Sequence, residues 1–207
     1  MVFCQKEEEL MKSLKAFWST YSPNVVKFWT NQAVMSVLGI SVGLATIALD
    51  NLVFAIIGSV FTVGILCYLQ YDNAFQLGLK DHYRPIDVKR PKRSLGFKIA
   101  LLGSSPLFLL VVLGLIFRLL SLESPSIVTQ LIYYAIHGSY IQVHALIMES
   151  FQTTTVLNGV LNWTFCLAYT LPVILVSSIG YLLGAADKPL RTLFGMKYIP
   201  DSHDVKH

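Results

Sequence analysis

The stretch Ala33 to Leu69 reads AVMSVLGISVGLATIALDNLVFAIIGSVFTVGILCYL and carries one charged residue, Asp50. Asp50-Asn51 divides it into two apolar runs, 33–49 and 52–69. An α-helix rises about 1.5 Å per residue, so each run covers roughly 26 Å, close to the thickness of a bilayer's hydrocarbon core. Two polar residues between them leave room only for a tight turn. The stretch reads as two membrane-spanning helices in a hairpin.

Outward from this hairpin, the sixteen Lys and Arg residues fall into clusters. Four lie between Lys6 and Lys27, seven between Lys80 and Lys98, and four between Lys188 and Lys206, with Arg118 alone. Neither Phe28 to Leu79 nor Leu119 to Asp187 contains a Lys or Arg. Basic residues gather in the cytoplasmic loops of polytopic membrane proteins, close to the ends of their spans. Two further apolar runs, 99–120 and 160–183, complete a set of four. Four crossings put the amino-terminal segment, the basic loop 71–98 and the tail 186–207 on the cytoplasmic side. A fifth crossing at Ile127 to Met148 would carry Lys188, Arg191 and Lys197 outside, against the charge bias. The expected fold is an all-α integral membrane protein, multi-pass in the cell membrane, with a four-span domain over 23–185 and both termini cytoplasmic.

Composition agrees. Hydrophobic residues make up 54% of the chain and charged residues 14%, against roughly 25% charged in a soluble domain. Three cysteines give no disulfide framework. The net charge of +4 belongs to the cytoplasmic segments and points to anionic lipid, with no nucleic-acid partner expected.

The flanking segments carry more detail. From Gln5 to Tyr21, Leu10, Met11, Leu14, Phe17, Trp18 and Tyr21 recur at helical spacing, which predicts a cytoplasmic amphipathic helix over 1–22. Ser22-Pro23 has the chemistry of an N-cap followed by Pro at the first helical position, and predicts a fresh helix start. Tyr71 to Tyr83 continues the second helix into the cytoplasm, with Gly78 as a weak point and Pro85 as its stop. Lys89, Arg90, Lys92 and Arg93 form a basic surface suited to anionic lipid, or simply set topology. Asp72, Asp81 and Asp87 nearby read as solvated ion-pair partners. In the third span, Pro106 predicts a kink, with Ser104 and Ser105 able to cover the backbone group that it frees. Arg118 is expected to pair with Glu123 or to snorkel.

The outer segment 121–159 is the least regular part. Ile127 to Met148 is rich in Ile, Leu, Val and Tyr but interrupted by polar residues. Read as one helix it aligns Tyr133, His137, Tyr140 and His144, and Gly138-Ser139 would divide it in two. We expect an interfacial or re-entrant helical segment with its Tyr and His tips at the outer water boundary. Loss of either histidine should then cost little stability.

His137, His144 and Glu149 are the candidate metal ligands. Seven residues apart on a helix, the histidines sit about 10 Å apart along the axis, whereas one metal needs each nitrogen within roughly 2.1 Å. The aromatic-stripe reading is preferred, and no cofactor is expected. The chain has no nucleophile elbow, P-loop or dinucleotide fingerprint. Its apolar runs hold no Asp, Glu, His, Lys or Arg apart from Arg118, which argues against a proton-coupled carrier or charge-selective channel. Gly39 with Gly43, Ala55 with Ser59, and Gly180 with Gly184 place small residues four apart, a spacing that lets helix backbones approach.

The segments Asn31 to Gly39 (NQAVMSVLG) and Gly78 to Arg84 (GLKDHYR), with the ending Ile179 to Gly184 (IGYLLG), resemble small integral membrane proteins of Gram-positive bacteria. The resemblance implies a cytoplasmic-membrane protein and carries over no activity and no site residue. The functional expectation is a non-catalytic accessory or partner subunit of a membrane complex, in contact with lipid and with another membrane protein or a second copy. Transport of a neutral or lipidic solute is the first alternative. A membrane enzyme using His137, His144 and Glu149 is the second.

Overall fold

The computed structural model describes residues 2–49, 51–83, 94–150, 155–188 and 190. Among these, the chain is helical apart from turns and caps. The helices are α1 (Val2–Leu49), α2 (Leu52–His82), α3 (Leu95–Leu119), α4 (Glu123–His137), α5 (Ile141–Ser150), α6 (Thr155–Ala168) and α7 (Thr170–Ala185). A 3-10 turn, Gly138–Tyr140, separates α4 from α5. Four stretches are long and apolar enough to cross a membrane: Lys15–Thr46, Leu52–His82, Leu95–Leu119 and Gly159–Ala185.

The hairpin forms where the sequence places it. Asn51 opens α2, its Oδ1 accepting the backbone N–H groups of Val53 at 2.9 Å and Phe54 at 3.4 Å. These are donors that a first helical turn otherwise leaves bare. Asp50 lies outside the described residues. α2 continues well past its apolar run to His82, as expected.

Pro106, Pro172 and Pro23 are accommodated in different ways. Pro106 leaves the Leu102 carbonyl without its usual backbone donor, and the Ser105 hydroxyl replaces it at 2.7 Å. α3 runs unbroken through it. Pro172 denies a donor to the Ala168 carbonyl and crowds it, and the fourth apolar stretch breaks there, at Tyr169 between α6 and α7. Pro23 corrects an expectation. Ser22-Pro23 does not start a new helix, because α1 runs through it, and 1–22 is not a separate helix. Tyr21 and Val25, on either side, are buried against Leu77 of α2, Leu95 and Ile99 of α3 and Tyr181 of α7. That packing supports the helix where Pro23 leaves a hydrogen bond out.

α2 and α7 run parallel and form the most extensive helix pair. A Cβ on Gly180 would stand 2.6 Å from the Tyr71 carbonyl oxygen, and one on Gly184 would collide with the Phe75 carbonyl. Gly78 is no weak point. It receives the α7 backbone, where a Cβ would lie 2.7 Å from the Ala185 nitrogen. Beyond this crossing, His82 Nδ1 lies 2.9 Å from the Ala185 carbonyl, and the Tyr83 hydroxyl donates to the Asp187 carboxylate at 2.8 Å.

Charged residues at the two ends of the bundle differ in their surroundings. Arg118 and Glu123 approach to 3.6 Å at the α3–α4 corner, as expected. Asp81 is not solvated. It is buried and accepts the Tyr181 hydroxyl at 3.0 Å, because the α2–α7 contact closes over it. Lys89, Arg90, Lys92 and Arg93, with Asp87, Arg191, Lys197 and Lys206, lie outside the described residues.

Candidate functional site

The most unusual feature of the molecule is the break between α4 and α5, packed against α1 and α2. Its cause is local. His137 leaves helical geometry at φ −123°, and Gly138 follows, a residue with weak helix preference. Ending α4 here frees its last carbonyls and the N–H groups that follow, and buried backbone groups must find partners.

Those partners come from the neighbouring helices. The Ser36 hydroxyl of α1 accepts the Gly138 N–H at 2.7 Å and lies 2.8 Å from the Ala135 carbonyl and 3.2 Å from that of Tyr134. In return, the Ser139 hydroxyl donates to the Met35 carbonyl at 2.9 Å. Thr62 Oγ1 of α2 lies 3.1 Å from the Ser139 carbonyl, with the Gly58 and Ser59 carbonyls of its own helix at 3.0 Å and 3.2 Å as further acceptors for its one proton. Gly39 and Gly138 make this approach possible: a Cβ on Gly39 would stand 2.5 Å from Ser139 Cα, and one on Gly138 would stand 2.6 Å from Ser36 Oγ.

One turn further on, Gln142 is wedged between α1 and α2. Its Nε2 donates to Thr46 Oγ1 at 2.6 Å. Gly43 and Gly58 face this side chain, and Ser59, whose hydroxyl donates to the Ala55 carbonyl at 2.7 Å, places its oxygen 3.5 Å from Gln142 Oε1. The small residues singled out in the first two apolar runs thus lie along the α4–α5 segment or beside it. The two helices of this pair run in opposite directions past α1. Ser139 meets α1 at Met35 and Gly39, whereas Gln142 meets it at Gly43 and Thr46, closer to the α1–α2 turn.

The aromatic stripe is not at an interface. Tyr133, His137, Tyr140 and His144 are all buried, with His137 only 1% exposed. Other helices, and not surface water, surround these side chains. His137 stacks on Tyr140 at 4.6 Å between ring centres, and Tyr140 stacks on Tyr169 at 5.2 Å. The break at Gly138–Tyr140 therefore rests on the break at Tyr169, across two parallel-stacked rings. The Tyr133 hydroxyl donates to the Cys166 carbonyl at 2.7 Å, and His144 Nδ1 lies 3.2 Å from the Tyr169 hydroxyl. Gln130, Tyr134 and Asn162 join in a smaller polar cluster beside His144.

Chemically this is a neutral, ring-filled interior. Among the described residues no three His, Cys, Asp or Glu side chains gather as a metal site would require. The rings of His137 and His144 are stacked against tyrosines, and the side chain of Glu149 lies outside the described residues. Ser36, Thr46, Thr62 and Gln142 carry much of the break and were not singled out from the sequence. Each is a neutral polar residue within or beside an apolar run, the one signal that pointed to it.

No protein family, curated protein or solved structure that was compared with the chain matches it.

Proposed function

We propose that this chain is a four-span membrane protein in which α4 and α5 re-enter the bilayer from the outer side, meet near its middle and return. Gly39 and Thr62 each lie eleven or twelve residues from the α1–α2 turn, about 17 Å along a helix. That is near half of a hydrocarbon core about 30 Å thick. Broken helices at such depth need protein or water to satisfy their backbone, never lipid. Ser36, Ser139 and Thr62 supply this from within the chain. Both termini and the basic loop are then cytoplasmic, with Lys89, Arg90, Lys92 and Arg93 facing anionic lipid.

Within that frame we propose a non-catalytic role as an accessory or partner subunit of a membrane complex. The observation that carries it is how the break is held: Ser36, Ser139 and Thr62 meet its backbone and join it to α1 and α2, while His137 Nδ1 and Nε2 and the Tyr140 hydroxyl stay buried without a hydrogen-bond partner. The partner surface is the outer half of α2, where Leu52, Val53, Phe54, Ile57, Val60 and Phe61 point away from the bundle. Extraction with native lipid into nanodiscs, followed by intact-mass measurement, tests the role. A stoichiometric complex with a second membrane protein, or with a second copy, supports it. A chain that is monomeric and alone at native abundance contradicts it.

Transport of a neutral solute is the second reading. It rests on Ser36, Ser59, Thr62, Gln70, Ser104 and Ser177, which are buried, uncharged and polar. Solute flux by the purified chain alone in liposomes would favour it over the accessory role.

A further inference from the structure

Away from the break, α1, α2, α3 and α7 meet around Gln70. Its Nε2 donates to the Phe28 carbonyl of α1 at 3.0 Å. Only the nitrogen end of an amide can donate, so this bond fixes which way the side chain points. The opposite end, Oε1, is buried and has no hydrogen-bond partner within the protein, and the residue as a whole is 0% exposed.

Beside Gln70 lies a cavity with about 10 Å³ of space for a water's centre, close to what one molecule needs. Asn24, Asn73 and Ser177 share its wall with Gln70, and apolar groups of α1, α2 and α3 line the remainder. Asn73 Nδ2 is directed to the Asn24 carbonyl at 3.4 Å. The Ser177 hydroxyl donates to the Val173 carbonyl at 2.8 Å, which leaves its oxygen free to accept.

We propose that this cavity is a buried-water site, with Gln70 as its anchor and Ser177 as the second group that the water bonds. A buried acceptor is costly to leave unpaired, and although most of the wall is apolar, Gln70 and Ser177 give a water the two polar partners that it needs. A water brings two donors, one for Gln70 Oε1 and one for Ser177 Oγ, and so joins α2 to α7. No carboxylate lines the cavity, so a cation there has no counter-charge.

The test is a structure of the full chain in lipid nanodiscs, at a resolution that shows ordered waters, for wild type and Gln70→Leu. The proposal expects one water within hydrogen-bond distance of Gln70 Oε1 and Ser177 Oγ, lost in the variant. A dry cavity, a direct bond from Gln70 Oε1 to a protein group, or a cation in place of the water overturns it. If Gln70→Leu does not fold, the wild type decides alone. Its Gln70 side-chain amide should show magnetisation exchange with a long-lived water, and absence of that exchange overturns the proposal.

Discussion

Ser36 serves Gly138 as a helix cap supplied from a different helix: its hydroxyl accepts the Gly138 N–H at 2.7 Å and lies 2.8 Å from the Ala135 carbonyl. The two residues are 102 positions apart in the chain. One hydroxyl thus covers both a donor and an acceptor that the end of α4 leaves behind. Ser36→Ala removes it and strands a buried N–H. The expected cost is about 1–3 kcal/mol, measured by reversible unfolding in mixed micelles. Ser41→Ala is the control, since Ser41 is exposed and only bonds back to Val37 within its own helix. It should change stability little.

The close approach at Gly39 makes a second prediction. Gly39→Ala puts a methyl against the Ser139 backbone, which cannot rotate away. Overpacking of this kind costs about 1–3 kcal/mol. Gly64→Ala meets open space, with nothing within 4 Å of its Cβ. It should be neutral, or gain up to about 1 kcal/mol from better helix preference. Equal effects of the two changes in the same unfolding assay would show that the α1–turn contact is not as described.

His137 separates the buried stripe from the interfacial one expected from the sequence. An interfacial ring is lost cheaply. His137→Ala in the packed interior removes the stacking partner of Tyr140 and leaves a cavity. The expected loss is about 2–4 kcal/mol, in the range for large-to-small changes at buried positions. A loss below about 0.5 kcal/mol, the usual limit for surface positions, would return His137 to the surface.

The hairpin at 33–69 was legible because length and apolarity decide it together, and Asn51 has cap chemistry wherever it begins a helix. Pro106 was half legible. The rescue by Ser105 followed from its place next to the proline, whereas the continuity of α3 through it did not. Pro23 misled because local chemistry cannot register that Tyr21 and Val25 are packed from three other helices. The outer segment shows the limit best. Its polar residues ask for polar surroundings, and water or protein could supply them equally. What decides is Gly39, Gly43 and Gly58, glycines on other helices that leave room for it. The sequence displays those glycines as packing faces without saying what they pack. Gly64, exposed on the same α2, makes no such contact.

Re-entry of α4 and α5 is tested most directly by asking on which side of the membrane the segment begins and ends. In a chain freed of its native cysteines, single cysteines are placed by Glu123→Cys, Thr153→Cys and Lys206→Cys. Glu123 suits this, its side chain being 75% exposed, whereas Ser126 is buried against Gly114 and Trp163 and would label poorly. Intact cells or sealed right-side-out vesicles are treated with an impermeant maleimide. The account predicts labelling from outside at both 123 and 153, and labelling at 206 only after the membrane is opened. Labelling at 123 but not at 153, with 206 reached from outside, would mean that the segment crosses the membrane, contradicting the account.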